Sequence, residues 1–172
     1  MNSNLEKLFN TLEAQRAALM SELKSINNDR LNSHVPGKWS INQIVGHIVT
    51  AEQLSVGYIN KKINAINEVG NTGIYGELKL GLFIASQRLP LKYKAPKNLG
   101  EQPKAYSDSI ALEADWNQTR QDLKLLLEKL PDSGLKKKIY RHPVMGRCSI
   151  LHALIFFREH IIHHYPQIKR QL

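Results

Sequence analysis

Trp39-Ser40-Ile41-Asn42-Gln43-Ile44-Val45-Gly46-His47 is the stretch on which the fold turns. Ser40 and Gln43 have the spacing of a capping box, in which a hydroxyl and an amide reciprocally satisfy the first free N–H groups of a helix, and Trp39 and Ile44 stand where a hydrophobic staple clamps its first turn. The pattern predicts a helix that starts at Ser40 or Ile41 and runs through Ile44, Ile48, Ala51 and Tyr58 to about Asn64. His47 falls between Ile44, Ile48 and Ala51, on the stripe that faces a core. An imidazole there needs a partner. A hydrogen bond to a neighbouring helix would satisfy an isolated one.

Working outward, three more segments carry the three-and-four spacing of amphipathic helices. Before the quoted stretch, Leu5, Leu8, Phe9, Leu12, Leu19, Leu23 and Ile26 share one face, giving a first helix that ends near Asn27-Asn28. After it, Leu112, Trp116, Thr119, Leu123, Leu126, Leu127 and Leu130 mark a third helix between a capping candidate at Ser109 and the terminator Pro131. A fourth starts after the cap Ser149, follows Ile150, Ala153, Leu154 and Phe157, and runs close to the C-terminus with a kink expected at Pro166. Tyr75 to Leu89 reads as a shorter helix before Pro90, and Leu91 to Ser107 as a long surface crossing. Strand-like alternation is nowhere sustained. The expected fold is all-α: one domain over residues 1–172, a four-helix bundle with a long crossover between helices two and three.

Composition narrows the classes. At 172 residues the chain is long enough to bury a continuous apolar core without disulfides, and Cys148 is its only cysteine. No apolar run approaches the roughly 20 residues of a membrane span, so no membrane association is expected. The first residues lack the basic start and apolar middle of a secretory signal, which points to the cytoplasm. The net charge of +9 admits an acidic partner. The basic residues are spread over the chain, however, with concentrations at Lys92 to Lys104 and Lys136-Lys137-Lys138, neither of which interleaves aromatics in the manner of a single-strand binding platform, and this argues against nucleic acid.

The second histidine cluster gives His47 its meaning. In Glu159-His160-Ile161-Ile162-His163-His164, His160 and His164 lie one turn apart on the same helical face and continue the core line through Ala153, Phe157 and Ile168. His163 is rotated away by about 100° from His164 at the helical period, and is the substitute for it. With His47 from another helix, the pair can occupy one hemisphere of a divalent ion and leave positions open for water or substrate.

At this point the chain resembles the DinB-like or YfiT-like metal-dependent bundle proteins. The resemblance is carried by Trp39 to His47, by His142-Pro143-Val144-Met145-Gly146-Arg147, and by His160-Ile161-Ile162-His163-His164-Tyr165-Pro166-Gln167-Ile168. It spans roughly residue 36 to the C-terminus, with helix one agreeing only in length and pattern. Tyr165-Pro166 departs from the small or basic residues more usual after the histidine pair. The resemblance implies a four-helix bundle with zinc, nickel or a related divalent ion on His47, His160 and His164. It also implies homodimers, and activities that include thiol-dependent transfer with low-molecular-weight thiols such as bacillithiol or mycothiol.

Two further candidates are catalytic. Glu52, five residues after His47, would stand at the rim as a base or as a partner of a ligand histidine, unless it is an exposed helix acid. His142, before Pro143 in an expected loop, would touch substrate unless it is a surface turn histidine. Trp39 reads as the staple, Trp116 as core and Cys148 as a partly buried thiol. The function expected is a metal-binding, thiol-dependent S-transferase or metal-assisted hydrolase acting on a small electrophilic substrate. Its rival is a non-enzymatic small-ligand-binding or dimerisation bundle.

Overall fold

A side-chain oxygen opens each long helix of the bundle. Asn2, Ser40, Asp108 and Ser149 accept from backbone N–H groups two or three residues on, satisfying donors that the first turn leaves free. In the computed structural model, which describes residues 1–89 and 104–172, the helices are α1 (Ser3–Lys24), α2 (Asn28–Asn32), α3 (Ile41–Lys62), α4 (Ile74–Arg88), α5 (Ser109–Lys129) and α6 (Ile150–Lys169). A 3-10 helix, Ile63–Glu68, extends α3. The full capping box at Ser40 and Gln43 is present, and Ser149 caps α6 as expected. Asp108, not Ser109, caps α5, because a carboxylate one residue earlier reaches the N–H of Ala111.

Two local features depart from the sequence reading. The first helix stops at Lys24, and a one-turn α2 capped by Asn27 follows it. Residues Tyr140–His142 and Gly146–Cys148 pair as a two-stranded antiparallel ribbon, β1 and β2, too short to show alternation and turned by Gly146 at φ 74°. The fourth expected helix is α6, which runs through Pro166 to Lys169, close to the C-terminus as expected. The shorter helix expected before Pro90 is α4. The surface crossing and the basic concentration from Lys92 lie outside the described residues except at their ends. There, Lys104 pairs with Asp115, and Tyr106 is buried rather than exposed.

Side-chain contacts fix the helix directions. Asn2 bonds Asp132 just after α5, and Lys24 pairs with Glu113 near its start, so α1 and α5 are antiparallel. Tyr165 and Lys169 both reach Glu22, so α1 and α6 run the same way. α3 packs on both α5 and α6, parallel to the first and antiparallel to the second. The cross-section therefore runs α1, α5, α3, α6, with α1 diagonal to α3 and α5 diagonal to α6. α4 packs against the outside of α6. Two apolar clusters fill the interior, one around Leu12, Ile59, Leu127 and Phe157 and the other around Met20, Ile48, Trp116 and Ile161.

The segment before α5 is clamped to α3 beside His47. Asn42 donates to the Tyr106 carbonyl at 2.6 Å and accepts from its N–H at 3.1 Å. A Cβ on Gly46 would lie 2.0 Å from the Lys104 carbonyl oxygen, so only glycine admits this approach. Asn42 and Gly46 in the opening stretch are thus docking residues.

Candidate metal centre

His47 projects from the second turn of α3, while His160 and His164 project from α6 one turn apart. Because the two helices are antiparallel neighbours, the three rings meet in the interior. Ring centroids are 5.0 Å apart for His47 and His160, 5.1 Å for His47 and His164, and 4.7 Å for His160 and His164. One ligand-capable nitrogen from each lies within 4.8 Å of the others, and all three residues are buried. The structure thus brings together the three residues singled out from the sequence. His163 points elsewhere: its Nδ1 donates to the Gln87 carbonyl on α4 at 2.8 Å.

The electrostatics favour neutral rings. Burial lowers His47 to about 4, with His163 adding repulsion. Burial likewise lowers His164 to about 3, and His160, beside two other imidazoles, falls well below the ordinary value. At neutral pH the cluster therefore presents lone pairs rather than protons. Gln167, one turn beyond His164, accepts from its Nδ1 at 3.1 Å, which leaves the Nε2 lone pair facing His160 Nε2, also 3.1 Å away. His160 Nδ1 is buried without a hydrogen-bond partner. Whichever tautomer His160 takes, one of its nitrogens goes unsatisfied, so the trio cannot close on itself.

These observations fit a divalent ion. Two nitrogens on a tetrahedral ion with bonds of about 2.1 Å are about 3.4 Å apart, close to the separation across His160 and His164. Aromatic rings frame the cluster: Trp39 lies 5.2 Å from His47, and Phe156 stacks on His160 at 5.1 Å. Trp39, expected as a staple, thus also packs over a site residue. Phe156 has no place in the sequence reading and Gln167 enters it only as the end of the motif after the histidine pair, although the four- and three-residue steps from His160 and His164 mark both as same-face neighbours.

The two catalytic candidates occupy other settings. Glu52 is 1% exposed, not an exposed helix acid, and it faces α5 instead of α6. It accepts from Trp116 Nε1 at 2.9 Å and from an Arg120 Nη at 2.8 Å. Burial raises its carboxyl despite the opposing pull of Arg120 and Trp116. His142 is not on a surface turn: it is buried in β1, where its Nδ1 accepts from the Val144 and Met145 N–H groups at 3.1 and 3.2 Å. Desolvation lowers it to about 4. Its ring lies 4.4 Å from Phe156, whose own ring stacks on His160, so one aromatic ring separates it from the cluster. Cys148 is buried and its thiol is pushed up to about 12 by desolvation, which leaves no reactive thiolate on the chain.

Among the described residues no helix is long and apolar enough to cross a membrane. No curated protein matches the chain. Among solved structures it is similar to YfiT from Bacillus subtilis, described as a probable metal-dependent hydrolase with an unusual four-helix bundle topology. The TM-score is 0.60 at 17% identity, over 99% of this chain and 87% of that one. At that identity the likeness shows the fold, a four-helix bundle of the YfiT type. The histidines, their spacing and their surroundings lie within residues 11–168, which match the DinB superfamily, and the chain belongs to that superfamily.

Proposed function

We propose that this protein is a metal-dependent enzyme in which His47, His160 and His164 hold one divalent ion, and that it hydrolyses a small electrophilic substrate. The observation that carries the reading is the convergence of three buried, neutral imidazoles with no carboxylate among them. Such a set leaves the ion its full double charge and favours an anionic fourth ligand. A bound ion of this kind acidifies a protic nucleophile and polarises the bond under attack. Zinc and nickel suit an all-imidazole set. The description of YfiT as a metal-dependent hydrolase supports the same assignment.

The chain's own residues do the rest. Gln167 holds His164 in the tautomer that presents Nε2, and the Phe156 ring holds the plane of His160. Trp39 and Phe156 shield the cluster from water and strengthen its electrostatics. With Cys148 buried and Glu52 bonded to Arg120, the nucleophile comes from solution. That same fact supports a second reading, transfer of an added low-molecular-weight thiol to the electrophile. Elemental analysis of purified protein is expected to find one divalent ion per chain. Chelation should abolish, and zinc or nickel restore, turnover of activated esters or amides. Consumption of added thiol without hydrolysis would select the second reading. A metal-loaded protein inactive with water and thiols alike would leave a binding bundle in place of an enzyme.

A further inference from the structure

A cavity of about 790 Å³ opens between the first turns of α1, α4 and α6, within the size range that holds small molecules. It is remote from the metal centre. None of the residues around it belongs to the histidine cluster, and His152 on its wall precedes His160 by two helical turns, about 12 Å along α6. Leu80 is buried and Leu8, Leu151 and Ile155 are half-buried, so the interior of the cavity is apolar. Lys7 and Lys136 stand exposed at its edge, and among the described residues neither has an acidic partner.

The segment that carries Lys136 is fixed: the N–H and the hydroxyl of Thr72 donate to the Lys136 carbonyl at 2.7 and 3.2 Å. Glu77 is the one acid among the described residues that line the cavity, and it is already engaged. The buried His152 donates from Nε2 to one of its oxygens at 3.1 Å. The wall is therefore net positive, and Lys137 and Lys138 extend the positive field beyond Lys136. Gly73, at the start of α4, lies on the same wall and gives that helix no side-chain cap, so its first N–H groups add to the field. An apolar interior under a cationic edge selects for a ligand that has both characters. A bare inorganic anion would leave the interior empty, and a neutral hydrocarbon would leave both ammonium groups unanswered.

We propose that this cavity is a second binding site, which takes a small organic anion: a carboxylate held between Lys7 and Lys136 on an apolar body lying among Leu80, Leu151 and Ile155. This goes beyond the proposed activity and does not depend on it. Octanoate titrated calorimetrically into the full chain with chelator present is expected to bind one equivalent, since no ion then remains to take the carboxylate. Lys7→Glu and Lys136→Glu should each weaken binding about 5-fold, and Glu77→Gln, which keeps an acceptor for His152, should tighten it about 3-fold. Raising the salt to about 0.5 M should weaken it as well. Leu151→Trp should fill the interior and abolish binding, with the charge variants, all at exposed positions, deciding the matter if that chain fails to fold. Octanol or inorganic phosphate binding as tightly as octanoate would overturn the proposal, as would an affinity indifferent to all three charge variants. Binding seen only in the zinc-loaded chain would put the carboxylate on the metal centre and overturn the second site. No binding up to about 10 mM octanoate would overturn it equally.

Discussion

His47 and Glu52, two of the buried polar groups on α3 and about a turn and a half apart, solve the problem of burial in opposite ways. Toward α5, Glu52 meets Arg120 and Trp116, and Arg120 in turn lies 3.7 Å from Glu13, so charge is compensated inside the bundle, although Nε and Nη1 of Arg120 make no hydrogen bond. Toward α6, His47 meets two more imidazoles, and nothing in the cluster balances their lone pairs. The first cluster balances its charge as folded; the second holds groups of one kind only, whose lone pairs suit a cation. Burial and polarity alone would not separate a structural cluster from a binding centre. What separates them is whether the partners are complementary or all of one kind.

The sharpest break in this contrast is His160→Ala. It is expected to abolish stoichiometric zinc or nickel binding, measured by titration and elemental analysis, while lowering the metal-free protein's unfolding free energy by less than about 2 kcal/mol. Full occupancy in that variant would remove His160 from the ligand set. Arg120→Met should do the converse. It strands the Glu52 carboxylate and costs about 3–5 kcal/mol in urea denaturation, whereas metal affinity in the folded fraction stays near that of the parent. A stability loss under about 1 kcal/mol would show that the α5 cluster is not a linked ion pair.

Proton linkage distinguishes the clusters by sign. His47 and His142 have folded values near 4 against an ordinary 6.5, so between those limits the unfolded chain binds more protons. In the metal-free protein their contribution is fully present above about pH 6.5 and is lost as pH falls toward 4, on the order of 3 kcal/mol for each taken alone. Glu52 runs the other way. Its raised carboxyl gives a contribution that declines as pH rises above its ordinary 4.5. Urea midpoints of chelator-treated protein between pH 4 and 8 should therefore climb with pH through the histidine window. Glu52→Gln should steepen the climb by removing the opposing slope, and a parallel curve would reject the Glu52 assignment.

The smallest effect expected is at Gln167. Gln167→Ala should weaken metal binding about 10- to 100-fold without changing its stoichiometry, because His164 loses the acceptor that holds its tautomer. Unchanged affinity would show that the packing of α6 alone orients the ring.

The sequence by itself determined the long helices and the identity of the converging histidines. Both follow from periodicity: apolar steps of three and four place the core face, and His47, His160 and His164 stand on that face at intervals a helix must bring into line. Ser40, Gln43 and Ser149 mark their own helix starts because capping is chemistry between residues three apart. Tertiary structure alone decided the rest. It set α3 antiparallel to α6, which is what closes the distance between the rings, it turned Glu52 to Arg120, away from the cluster beside which its offset from His47 had put it, and it buried His142 against Phe156 instead of leaving it in a loop. It also buried one face of α4 and left the other apolar face open. Local spacing reports which side of an element a residue occupies. Which element that side then meets depends on contacts between residues as far apart as Glu52 and Arg120, and no short window of sequence contains both.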